Sequence, residues 1–298
     1  MNIYSLNDIG IQTDLDLYPL QKKNIKPEVT IESGIVPEHL PLPIATTASY
    51  EITTNCTLIR IPRMGRFLVT GSHHICIQLD GHLQPEECIP ILLGPVWASM
   101  LHRRGAFPLA GSLLDYHGNG ILLCGPSASG VSTMALALTL QASGVKTLSD
   151  EFCLIEQTAH GMLAKPGLPA LKLWQDVLES QDIDYQALKH TRNELNKFWL
   201  PLPASDPIRL HMIIELHEQK TDADSEGPTQ IKGFKAFTMI DRLTLHLAYL
   251  RHLPLQQQQF IRCTELARHV TVLRYTFKYG LDHLSEQAST LLEAFEAP

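Results

Sequence analysis

One stretch constrains this 298-residue chain more than any other. Gly125-Pro-Ser-Ala-Ser-Gly-Val-Ser-Thr133 stands directly after the apolar run Ile121-Leu-Leu-Cys124, and a segment free of Gly and Pro, residues 132–142, follows it. An apolar run with no polar alternation reads as a strand buried on both faces of a parallel sheet. Met134, Ala135, Leu136, Ala137, Leu138 and Leu140 give a helix that closes at Gly144. A glycine-rich turn from strand to helix is the setting of the phosphate-binding pattern G-x-x-x-x-G-K-[ST]. Every fixed position matches except the lysine, where Val131 stands. Such a loop works through successive backbone N–H groups that curl around an anion at the positive end of a helix, and that cradle needs no lysine. Ser132 occupies the position whose hydroxyl ligates the magnesium bridging the terminal phosphates.

Residues 145–148 and 152–155 read as strands that complete a strand-helix-strand crossover. Between them Asp150-Glu151 puts paired carboxylates at a strand end, the edge where active-site groups of open α/β sheets gather. Further on, the pattern predicts a helix near 170–180, a strand at 211–216, helices near 237–250 and 256–269, a strand at 270–276 and a last helix. Alternating elements of this kind make an α/β sheet. Residues 221–228 are acidic and polar and read as an exposed loop. Upstream, residues 50–79 alternate in short apolar runs with turn signals at Gly65 and Gly81, a small antiparallel sheet. Residues 86–104 have helical spacing with a kink at Pro95 and a stop at Gly105. Residues 1–43 mix polar runs with five prolines and hold no sustained period, which predicts an irregular arm. The expected organisation is an irregular arm (1–47), a small β-rich region with a linking helix (48–105) and an α/β phosphate-binding domain (106–298).

Composition narrows the function. With 44% hydrophobic and 18% charged residues the chain is a globular one. A net charge of -7 argues against nucleic acid or an anionic membrane as partner, since either needs a basic face. The six cysteines lack zinc-ligand or compact disulfide spacing and read as reduced, and no leader or long apolar run is present, which predicts a cytoplasmic protein. The fourteen histidines, His73-His74, His102 and His117 among them, have no partners at metal-ligand spacing. Trp97, Trp174 and Trp199 read as core residues.

The run Gly118-Asn-Gly-Ile-Leu-Leu-Cys-Gly-Pro-Ser-Ala-Ser-Gly-Val-Ser-Thr-Met-Ala-Leu-Ala-Leu138, the spacer ending in Gly144 and Asp150-Glu151 together resemble the catalytic domain of HPr kinase/phosphorylase. The HPr-kinase-related proteins found beside modified-peptide biosynthesis genes are a closer resemblance still. Leu93-Gly94, Arg103-Arg104-Gly105 and Pro166-Gly-Leu-Pro-Ala-Leu-Lys-Leu-Trp174 extend the likeness, which is densest from 93 to 174. It implies a P-loop, HPr-kinase-like α/β core that binds ATP through Gly125, Pro126, Ser127, Ala128, Ser129, Gly130, Val131, Ser132 and Thr133. By the same resemblance Ser132 and Glu151 hold magnesium, and Asp150 is the base that takes the proton of the attacking hydroxyl. The acceptor would be a Ser or Thr hydroxyl on a protein or peptide. Bifunctional HPr kinases form hexamers, so an oligomer is open.

Two positions depart from that family. Val131 replaces the loop lysine, and Ala110, in Leu109-Ala-Gly-Ser112, replaces the family histidine of a Leu-His-Ala-Ser arrangement. Losing one preorganised donor aimed at developing charge costs on the order of a hundred to a thousand fold in rate. The expectation is therefore either a serine/threonine kinase-like enzyme or a pseudokinase that binds a nucleotide or peptide as a regulatory or scaffold protein. Lys146, Lys172 and Lys197 are the cations near enough in sequence to stand in for the missing lysine. With Val131 in the lysine's place the loop is expected to bind magnesium-ATP weakly. In that case Val131→Lys tightens binding by roughly ten to a hundred fold, read by calorimetry, because a charge-assisted hydrogen bond is worth about 1.5 to 3 kcal/mol. No gain means that another lysine already holds the phosphate or that the loop is not a phosphate site.

Overall fold

The computed structural model describes residues 1–81, 83–219, 227–278 and 280–295. The chain is mixed α/β with a β-rich N-terminal region, and it divides into two compact units. The first unit comprises Met1–Pro108, Thr191–Glu194 and Leu245–Gln259. The second comprises Leu109–His190, Leu195–Thr244 and Phe260–Pro298.

In the first unit β1 (Asn2–Leu6), β2 (Ile9–Thr13), β3 (Pro27–Ser33), β4 (Ala45–Thr46), β5 (Tyr50–Ile52), β6 (Cys56–Ile61), β7 (Gly65–Thr70) and β8 (His74–Leu79) form one sheet. Its order is β1-β2-β3-β8-β7-β6-β5-β4. The sheet expected at 50–79 is thus present, but the arm expected to be irregular supplies four of its strands, β1 to β4. β1 and β2 are only five residues each, and β3 enters by parallel pairing with β2 and β8 after a long connection, so no local period announces them. Asn7 and Asp8, both at positive φ, are the one local signal, since a two-residue hairpin of the type I′ kind needs that conformation twice. Tyr4, Ile11 and Ile31 are fully buried. A helical run that includes α1 (Ile89–Ile91) and α2 (Trp97–Arg103) kinks at Gly94, just before Pro95, and stops at Gly105 (φ 68°).

The second unit begins with β9 (Pro108–Ala110), β10 (Ser112–Tyr116), β11 (Asn119–Cys124), α3 (Val131–Gln141) and β12 (Val145–Thr158). It continues with β13 (Gly161–Leu168), β14 (Ala170–Trp174), α4 (Gln175–Ser180), β15 (Lys197–Pro201), β16 (Ile208–Glu218), β17 (Gly227–Gln230) and α5 (Phe234–Leu243). The short α6 (Leu247–Leu250) belongs to the first unit, and α7 (Gln256–His269), β18 (Thr271–Phe277) and α8 (Leu284–Phe295) close the chain. Of the polar loop expected at 221–228, residues up to 226 lie outside the described ones, and Gly227 and Pro228 open β17. Among the described residues no helix is long and apolar enough to cross a membrane.

The expected parallel sheet is corrected to a mixed one. β11 pairs in parallel with β16, and β16 with β18, but β10 lies antiparallel between β11 and β12. β12 and β13, then β13 and β16, pair antiparallel, so β11, β10, β12, β13 and β16 form a closed circuit of neighbours. The crossover β11-α3-β12 survives with β10 inserted between its two strands. Two further corrections follow from context. The helix expected near 170–180 is a strand, β14, followed by a short α4, because Ala170–Trp174 pairs with Lys197–Pro201 and only that distant partner decides it. The two strands expected at 145–148 and 152–155 are one strand, β12, broken in register between Asp150 and Cys153. The middle of α3 is apolar, and its residues Met134–Leu138 are buried in one cluster with Leu123 of β11, Leu171 of β14, Ile214 of β16 and Leu291 of α8.

Gly111, in the turn from β9 to β10, has φ 150°, and a Cβ there would lie 2.2 Å from the Leu123 carbonyl oxygen. Its N–H donates to the Glu151 carbonyl at 3.0 Å. Gly111→Ala is therefore expected to destabilise the second unit by about 1 to 3 kcal/mol in urea unfolding. A neutral substitution would mean that this approach of backbones is looser than described.

Candidate active site

The site is organised around one buried carboxylate. In β12 the register break at Asp150 and the positive φ of Glu151 (68°) form a bulge, and a bulge re-aims side chains that a regular strand would alternate. Asp150 is 2% exposed. Ser112 of β10 donates its hydroxyl to Asp150 Oδ1 at 2.6 Å, and Ser132, in the first turn of α3, donates to Oδ2 at 2.8 Å. The backbone N–H of Lys172 in β14 adds a longer bond to Oδ2 at 3.3 Å. Burial, and then the neighbouring charge of Glu151, push the Asp150 carboxyl above its usual range, while the Ser112 and Ser132 hydroxyls and the Glu151 backbone pull the other way.

Glu151 points elsewhere. Its carboxylate pairs with the Lys172 ammonium at 2.7 Å. Lys172 in turn lies 5.5 Å from the centre of the Trp199 ring, and Lys197 lies 5.4 Å from that of Trp174. Burial and the charge of Lys172 lower the pKa of Lys197, opposed by Glu151 and Asp150. Lys146, the third candidate cation, is exposed near the start of β12, where the register sets it beside Asp115.

The loop between β11 and α3 is tightly turned. Ala128 and Gly130 have φ of 67° and 79°, and the Ser129 N–H donates to the Pro126 carbonyl at 3.1 Å. Gly125 is required by packing, since a Cβ there would meet Ser129 Oγ at 2.3 Å. That Oγ is buried and has no hydrogen-bond partner among the described residues. Pro126, Ser127 and Ala128 are exposed, and Val131 packs against the core cluster. Thr133, with Gly130, Met134, Trp174, Asp176 and Phe277, lines a cleft of about 150 Å³. The hydroxyl and carboxylate oxygens of Ser132, Asp150 and Glu151 are the hard donor type that suits magnesium, and the glycine-lined turn at the head of α3 suits an anion.

Of the residues singled out in the sequence, Ser132 and Asp150 are therefore in direct contact, and Glu151 is on the same bulge but held by Lys172. Ser112 was not anticipated. Its signal is a lone hydroxyl inside the apolar stretch Leu109–Leu114, and such a residue, fully buried, needs a partner. Trp97 and Trp199 are core residues, whereas Trp174, expected to be one, is 48% exposed. A second buried carboxylate, Glu215 of β16, is register-paired with Cys124 and held by Arg242 and by Arg274 at 2.9 Å. Among the described residues no three His, Cys, Asp or Glu side chains gather as a metal site.

No protein-family model matches this chain, and no curated protein matches its sequence. Among solved structures, the HPr(Ser) kinase/phosphatase from Coxiella burnetii is a distant neighbour. It has a TM-score of 0.34 and 12% identity over 63% of this chain and 95% of that one.

A carboxyl whose folded pKa is raised contributes fully to stability below its unfolded pKa of about 4 and loses that contribution as pH rises through the folded value. Asp150→Asn cannot ionise, so its stability relative to the native protein is expected to climb between about pH 4 and neutrality. A difference that stays flat over that range in urea titrations would show that the Asp150 carboxyl is not raised in the folded protein.

Proposed function

We propose that this chain is a kinase-like phosphotransferase that uses magnesium-ATP and acts on a Ser or Thr hydroxyl of a protein or peptide. The observation that carries the reading is the 2.8 Å hydrogen bond from Ser132 to Asp150, which joins the head of the glycine-rich loop to a buried carboxylate. Residues 125–133 would cradle the phosphates with backbone N–H groups at the start of α3. Magnesium would neutralise charge on the terminal phosphates, and Ser132 and Glu151 would hold it. The acceptor oxygen bonds to the γ-phosphorus as the bond from that phosphorus to the ADP oxygen breaks. The hydroxyl proton goes to Asp150. A carboxyl raised by burial is the better base for that transfer, because its pKa lies nearer the working pH.

A second reading rests on a specific observation. Asp150 already accepts three hydrogen bonds, and neither Val131 nor Ala110 can answer developing charge. A carboxylate so engaged suits a pseudokinase in which the nucleotide, once bound, orders a surface for a partner.

The two separate in one assay with γ-labelled ATP, magnesium and candidate peptides. Transfer of label to a Ser or Thr, abolished by Asp150→Asn, is the outcome expected of the enzyme, since the amide cannot take the proton. ATP binding without transfer assigns the pseudokinase, and failure to bind any nucleotide overturns both.

A further inference from the structure

The two-stranded antiparallel sheet of β14 and β15 sets Lys172 opposite Trp199 and Trp174 opposite Lys197. Residues two apart in a strand share a face, so one face of this strand pair is a chequer of two ammonium groups and two indoles. The two lysines are not equivalent. Lys172 is 13% exposed and its charge is already matched by Glu151. Lys197 is half-buried, and among the described residues its ammonium makes no hydrogen bond or ion pair; it has only the face of Trp174. A ring face answers an ammonium's charge, yet leaves its three N–H donors to solvent or to an anion. A half-buried cation in that state is prepared for an anion. Trp174 in turn lines the same cleft as Gly130 and Thr133, which flank Val131 and Ser132 at the head of α3. The electrostatic reach of Asp150 and Glu151 to Lys197 sets it in the same neighbourhood.

From this juxtaposition we infer that Lys197 has taken over the role left open by Val131 and grips the terminal phosphates of a nucleoside triphosphate from β15, with Trp174 holding its ammonium toward the loop. The inference rests on the nucleotide-binding reading above. Lys172, by neutralising Glu151, is a positioning residue that keeps the acid pair from capturing Lys197.

The test is calorimetry on the full chain with magnesium-ATP, tripolyphosphate and AMP. Lys197→Met is expected to weaken ATP and tripolyphosphate by roughly ten to a hundred fold, the loss of one charge-assisted hydrogen bond, and to leave AMP unchanged. Lys197→Arg retains most of the affinity and serves where the methionine variant does not fold. Val131→Lys adds little to the native protein but restores Lys197→Met, because two cations serving one phosphate are not additive. Equal ATP affinity of native protein, Lys197→Met and Lys197→Arg overturns the inference and leaves the nucleotide reading intact. So does a Val131→Lys gain of the same size in both backgrounds. A native protein that binds neither ATP nor tripolyphosphate overturns the nucleotide reading itself, and this one with it.

Discussion

A carboxylate taken out of water must be answered by donors, and at Asp150 the answer comes from three different elements at once: the hydroxyl of Ser112 on β10, that of Ser132 on α3 and the N–H of Lys172 on β14. Hydrogen bonds to a charged group are worth about 1.5 to 3 kcal/mol each, and an unmet buried charge costs more than any one of them contributes. The position of each element is thereby tied to the others. Shift α3 along its axis and Ser132 leaves Asp150; lift β14 and Lys172 does. The glycine-rich loop hangs from the end of β11 and opens into α3, so the Ser132 bond ties it to Asp150.

Backbone geometry makes room for this arrangement. The bulge in β12 turns two consecutive carboxylates to different partners, Asp150 inward to the hydroxyls and Glu151 to Lys172. Close approach is needed on either side of it. At Gly111 the chain passes against the Leu123 carbonyl, and at Gly167 a Cβ would lie 1.9 Å from the Phe152 carbonyl oxygen. Around these points the core is ordinary. An apolar α3 fills the space between the sheet and α8, and burial of that size holds the helix against any single misfit at its polar end.

Electrostatics at the site are locally balanced although the chain as a whole carries a net charge of -7. Glu151 is paired with the Lys172 ammonium, and Lys172 and Lys197 each have an indole ring against them. Glu215, by contrast, is closed off by Arg242 and Arg274 and has the character of a structural lock at the strand end. On the reading proposed above, an anion arriving at the loop would meet Lys197 and the head of α3.

How much of this could be read beforehand follows the range of each interaction. Strand β11, the loop and α3 were legible because an unbroken apolar run, paired glycines and a Gly- and Pro-free helix are local signals. The resemblance expected both acids at the loop, where Asp150 meets Ser132 and Glu151 turns to Lys172. Strands β1 to β3 were not legible: β1 and β2 are only five residues each, and β3 is held by β2 and β8, with a long connection on either side. The same holds for β14, whose residues have helical spacing yet are held by β15. Sequence by itself determined the chemistry on offer: two acids, hydroxyls at 112 and 132, a valine where a lysine was expected, and three lysines that could answer for it. Tertiary structure alone decided which of them meet. Hydrogen bonds and ion pairs depend on separations of a few ångströms, and residues 18, 22 or 38 apart reach such separations only when a bulge, a crossover and a strand pair converge.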